Sequence, residues 1–308
     1  MRLVLFFACL VFSSCIEFER EKITYIHDEE KDELRLTLVY EGIFGNHKEG
    51  GSFEKGPDDQ AIENNLNQIQ TKQMESLLEQ NRAFFFSNWI FEYNPSTLPN
   101  TLGKIIKDNQ KGRFGKPEQE LIDALLQNIE VKNIGFFKNK NGKLCGAQTM
   151  RISNLSKVIP LINLVIRRQM LTHLPELQEE VTNQTKGAYT QGTVDLIAQK
   201  LKDEYSFIHI DGNLISYQII MNLIDQENFI KGGNWDNELP KGACFENHDD
   251  YLLLKIGEKS GDFVTLEKKC FDGYVPNALQ YVEKKHADHM LAPRMVQNRL
   301  KKFLKVTR

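Results

Sequence analysis

The chain has almost no excess charge of either sign. Across 308 residues, 39 lysines and arginines stand against 42 aspartates and glutamates, a formal charge of −3. So weak an imbalance gives no basis for a nucleic-acid partner. Long apolar runs are missing as well. Beyond residues 3–12, no stretch approaches the roughly 20 apolar residues of a spanning helix, and residues 161–166 are cut short by Arg167 and Arg168. Gly-x-Ser-x-Gly, Gly-x-Gly-x-x-Gly and the phosphate loop are absent. Seven histidines occur, none in a triad or a ligand-set pattern. The body therefore leans away from an enzyme, and no cofactor is expected.

What is present begins at Met1. Arg2 supplies a positive start, residues 3–12 an uncharged apolar centre, and Ser13 and Ser14 a small-residue exit before Cys15. This is the layout of a secretory leader. Its apolar centre is too short to span a bilayer, and Glu17, Glu19, Arg20, Glu21 and Lys22 cannot extend it. Phe12 stands where ordinary cleavage wants a small residue. With cysteine directly after the small pair, residues 1–15 resemble the lipobox of bacterial lipoproteins, departing from it only in having Phe12 where an aliphatic residue is commoner. The resemblance implies removal of residues 1–14 and acylation of Cys15, palmitate included, which anchors the chain in the cell envelope. Ile16, rather than aspartate, follows the cysteine. In Gram-negative lipoproteins that favours the outer over the inner membrane.

Cysteine is scarce, with five in all. Cys9 leaves with the leader and Cys15 is the anchor. Cys145, Cys244 and Cys270 remain, an odd number, so at least one stays unpaired. Cys244 and Cys270 flank a predicted hairpin. Either they form a bridge, contributing about 3 kcal/mol by closing that loop, or they are free thiols.

Periodicity predicts an α+β body over residues 23–308, joined to Cys15 by a short tether over residues 15–22. Antiparallel hairpins are mixed with amphipathic helices, without regular strand-helix-strand alternation. Residues 22–26 and 34–40 read as paired strands about a charged turn. Glycine-rich residues 42–57 read as a loop and residues 58–78 as a helix. The aromatic run 83–93 suits one strand covered on both faces. A helix over 117–128 precedes a hairpin about Asn141-Gly142, and a helix over 190–203 precedes a hairpin about Asp211-Gly212. Residues 153–173 form an apolar helix interrupted or opened by Pro160, and Pro175 starts a second helix. Residues 251–256 and 263–268 form a last hairpin, and residues 276–290 and 294–304 are closing helices. A subdomain boundary is expected near residues 183–193.

Few residues suggest chemistry. His286 and His289 share one helix face and offer two metal ligands without a third. The run Asn247-His248-Asp249-Asp250 reads as a solvated turn before a metal or base site. Asp211-Gly212-Asn213 lacks the acidic spacing of a calcium loop. Arg294, Arg299, Lys301, Lys302 and Lys305 follow the last acid, Asp288. They belong either to an amphipathic helix lying on an anionic membrane surface or to a docked helix with a basic outer face. The expected function is that of a non-catalytic binding or envelope-assembly protein, with the bilayer as one partner and a protein or glycan as another. The alternative is an envelope hydrolase whose groups meet only in the fold.

Overall fold

The computed structural model describes residues 16–45, 81–85, 91–100, 115–182, 189–233, 235, 239–270 and 290–305. The strands are β1 (Ile16–Asp28), β2 (Glu33–Gly45), β3 (Ala83–Phe85), β4 (Phe91–Tyr93), β5 (Ile129–Lys138) and β6 (Leu144–Ser153), then β7 (Ile208–Asp211), β8 (Leu214–Ile220), β9 (Ala243–Asn247), β10 (Tyr251–Ile256) and β11 (Val264–Lys269). The helices are α1 (Lys116–Asn128), α2 (Leu155–Thr182), α3 (Gln191–Lys200), α4 (Leu223–Gly232) and α5 (Pro293–Leu304). The fold is α+β. A five-stranded antiparallel sheet has the order β11-β1-β2-β6-β5, and a four-stranded one the order β7-β8-β10-β9. No described helix is long and apolar enough to cross a membrane. The sequence-predicted helices over 58–78 and 276–290 lie outside the described residues.

The long hairpin β1–β2 is the spine. Ile16 pairs with Gly45 and Asp28 with Glu33, so residues 16–22, expected as a tether, belong to the sheet. Phe18 is fully buried and stacks on Tyr40, ring centroids 4.5 Å apart. Alternation along β2 sends Leu34, Leu36, Leu38 and Tyr40 to one face, with Ile23, Tyr25, Val131, Met150 and Leu266 as neighbours in the first core. Each such large apolar side chain contributes roughly 1.5–3 kcal/mol when fully buried. The opposite face carries Arg35, Thr37, Thr149, Ala147 and Cys145, and α5 covers it.

Helix α2 differs from expectation. It runs unbroken through Pro160 and Pro175. Both prolines are exposed, as are Ser156 and Leu171 four residues before them, whose carbonyls lack an amide partner. Its start is capped from afar: Asp32, in the β1–β2 turn, accepts from Ser156 N at 2.9 Å and from Ser156 Oγ at 2.6 Å. Leu155 and Ile159 serve the first core. Ile166, Met170 and Leu174 pack on a second core of Ile197, Leu201, Phe207 and Ile220. Between them Asn163 accepts from Phe207 N and Ile208 N and donates to Ile208 O, as a strand peptide would.

Two further expectations are corrected. The aromatic run 83–93 is not one strand: β3 and β4 pair with each other, Ala83 opposite Tyr93. Nor do β10 and β11 form a hairpin. Strand β10 lies between β8 and β9, whereas β11 crosses to the other sheet and pairs with β1. The crossing follows Gly257, at φ +78°, where a Cβ would lie 2.5 Å from Tyr25 Oη. The region after residue 193 therefore builds the second sheet and then returns to the first.

Candidate functional site

Of the residues singled out from sequence, Cys15, His286 and His289 lie outside the described set. Cys145 is buried, its thiol is pushed up to about 11 by that burial, and its Sγ lies 3.6 Å from Lys143 O. At neutral pH it is a protonated core residue and not a nucleophile. Cys244 and Cys270 are not bridged to each other. Cys244 faces outward on β9, and Cys270 follows β11 with its amide bonded to Glu19 O, so they belong to different sheets. The antiparallel bridge Lys241–Glu267 links their segments, but from it the chain carries Cys244 and Cys270 in opposite directions.

The run Asn247–Asp250 is the tight connection from β9 to β10, closed by His248 N donating to Tyr251 O at 3.1 Å. The His248 ring stacks on Tyr251 with centroids 4.4 Å apart, and its Nε2 lies 3.1 Å from Glu246 Oε1. Asp250 pairs with Lys200 instead. His209 is exposed and bonds to Ser206 O. Among the described residues no group of three His, Cys, Asp or Glu side chains gathers to hold a metal.

Asp211-Gly212-Asn213 is a hairpin turn, and it is also the joint between the sheets. Asn213 Oδ1 accepts from His27 N at 2.8 Å, its carbonyl accepts from Tyr25 Oη at 2.7 Å, and its Nδ2 donates to Gly261 O. Sequence reasoning missed this role. It also missed α4, whose signal was present in Asn222 three residues before Asp225: the Asn222 side chain accepts from Asp225 N.

The most developed surface is the outer face of α5. Pro293 opens the helix, and just before it Leu291 N donates to Phe136 O at 2.9 Å. Val296 is buried and Leu300, Phe303 and Leu304 are half-buried, all on the side toward the sheet. The far end is fastened by Arg35, which donates to Lys305 O at 3.1 Å and also reaches Phe303 O. Arg35 is itself held by the buried carboxylates of Asp28, at 3.1 Å, and Glu33. Cations at a helix C-terminus also meet its negative dipole end favourably. Arg294, Arg299, Lys301, Lys302 and Lys305 are all exposed, beside exposed Met295, and α5 contains no acidic residue.

A second cationic feature lies at one end of the same sheet. The tip between β5 and β6 carries Lys138, Lys140 and Lys143 without an acid. Lys143 reaches across to Glu19 of β1 at 2.6 Å, which fixes this tip beside the start of β1. No family model, no curated protein and no solved structure matches the chain.

Proposed function

We propose that this chain is an exported lipoprotein, anchored in the cell envelope through acylated Cys15, whose body is a non-catalytic binding or envelope-assembly module. One observation carries the reading beyond the leader itself. Strand β1 opens at Ile16, the residue bonded to Cys15, and Phe18 is already in the core. A folded sheet that already includes the residue after the cysteine suits a body held close against a bilayer. It suits a long flexible tether less well. Two or three acyl chains, each contributing about 0.8 kcal/mol per buried methylene, hold such a body firmly where one chain holds it marginally. Ile16 in place of aspartate favours the outer membrane.

The binding surface of the module is the outer face of α5. Four exposed cations on a helix fixed at both ends, with a fifth at its C-cap, favour an anionic partner in the envelope, a protein or a glycan. Because the helix is already docked, little ordering entropy is lost on binding. The test is mass spectrometry of the mature N-terminus together with membrane fractionation. Wild type should begin at Cys15 with an added diacylglyceryl mass and sediment with membranes. Cys15→Ala should keep its leader mass or be recovered unacylated. A wild-type chain starting at Met1 in the soluble fraction would overturn the proposal.

A further inference from the structure

We infer that the partner of α5 is a linear acidic glycan lying lengthwise along the helix, and neither a protein nor the bilayer surface. The inference rests on the reading of α5's outer face above and names the chemistry which that face takes. Helical spacing sets the geometry. Arg294, Asn298, Lys301 and Lys305, the last at the C-cap, stand at i, i+4, i+7 and i+11, which is one line along a helix. All four are exposed, with Arg299 and Lys302 exposed beside them. Val296, Leu300, Phe303 and Leu304 take the side toward the sheet. The 12 residues of the helix measure about 18 Å, so the cations form a narrow track and not a round patch. Among the described residues none of these five cations pairs with an acid.

Helix stability accounts for only part of this track. Lys301 and Lys302 stand in the last turn, where the negative end of the dipole favours cations. Arg294 stands in the first turn, at the positive end, where a cation is unfavourable and no acid offsets it. A ligand running the length of the helix explains a cation at both ends.

The other two occupants fit less well. A protein interface is built on a desolvated core of aromatic and apolar anchors, from which lysine is depleted. Met295 is the only exposed large apolar side chain of α5, and three of the five cations are lysines. A helix lying on a bilayer sinks its apolar face among the acyl chains. That face of α5 is already spent on the sheet, and Leu291 and Arg35 fasten the helix at its two ends. A linear polyanion needs neither an apolar anchor nor a free apolar face. It needs charge complementarity along one line, and it binds by releasing its counterions.

The test uses the full chain with its native N-terminus, in micelles of a nonionic detergent. Fluorescence anisotropy follows binding of a labelled polygalacturonate oligosaccharide, with neutral dextran as the control. Polygalacturonate should bind and dextran should not. Affinity should fall roughly 50-fold between about 50 and about 200 mM salt if four cations engage. K301Q/K302Q/K305Q should weaken binding roughly 30-fold and flatten the salt dependence, while K301R/K302R/K305R preserves both. R294Q should weaken binding roughly fivefold without lowering the urea midpoint, since it removes a cation from the positive end of the helix. K202Q/K231Q takes exposed lysines from beside the second sheet. It should change affinity less than about twofold, because distant surface charge is screened. No binding of polygalacturonate would overturn the inference, as would binding that survives the triple glutamine variant. Slowed amide exchange in α5 on doping the micelles with phosphatidylglycerol, without oligosaccharide binding, would assign the helix to the bilayer instead. Failure of the lipoprotein reading is separately visible, as an unacylated wild-type N-terminus.

Discussion

Burial separates the chemistry of the body cysteines. Cys145 is enclosed under α5's side of the sheet, and desolvation raises its thiol to about 11. A raised thiol stays protonated below that value, so at pH 8 almost none of it is thiolate. Cys244 is exposed on β9. With native protein at pH 8, iodoacetamide should label Cys244 readily and Cys145 at least a hundredfold more slowly. In denaturant the two rates should converge. Peptide mapping by mass spectrometry reads this directly, and fast native labelling of Cys145 would show that its site opens. The same contrast explains why cysteine counting from sequence stopped at alternatives. Spacing along the chain does not reveal which sheet each cysteine joins.

At the scale of elements, Arg35 decides whether α5 is part of the body. It satisfies carbonyls at the helix end while neutralising Asp28 and Glu33, both buried. Removing one partner of a buried charge cluster costs about 3–5 kcal/mol, because the remaining charges lose compensation. Arg35→Gln should therefore lower stability by that order in urea unfolding. It should also raise amide exchange in α5 ahead of the sheet. Equal exchange throughout would mean that the apolar face of α5 holds the helix without Arg35. The amphipathic pattern of α5 was legible in sequence, since Val296, Leu300, Phe303 and Leu304 follow helical spacing. Its docking was left open between two alternatives, since the fastening arginine sits 268 residues or more away from the carbonyls it binds. The start of α2 teaches the same lesson. The cap is supplied not by a neighbour in the chain but by Asp32, 124 residues earlier.

For the whole molecule, the two cores are joined by α2 and by the Asn213 turn. Asn213→Ala deletes an acceptor for His27 N and a donor to Gly261 O in a site that is 5 % exposed. Each lost buried hydrogen bond that leaves its partner unsatisfied costs about 1–3 kcal/mol. The variant should lose about 2–4 kcal/mol in urea unfolding, and Asn213→Asp, which keeps the acceptor for His27 N but sets a carboxylate oxygen against Gly261 O in a buried site, should not recover that loss. A loss below 1 kcal/mol would indicate that contacts other than the Asn213 side chain couple the sheets. Tyr25 completes this joint, its hydroxyl shared between Asn213 O and Ile256 O at 2.7 and 2.9 Å.

The sequence by itself determined what depends on neighbours in the chain: the α+β class, the hairpins about Asn141-Gly142 and Asp211-Gly212, the inward face of β2, and the lipobox-like start. These follow from turn chemistry and residue alternation, which act over a few residues. The tertiary structure alone decided which strands pair across long separations. It sent β11 to β1 and not to β10, drew residues 16–22 into the sheet, carried α2 through two prolines, and set Lys143 against Glu19. Those outcomes depend on which distant surfaces bury each other and which far-off donors and acceptors are satisfied, and local pattern carries no record of either.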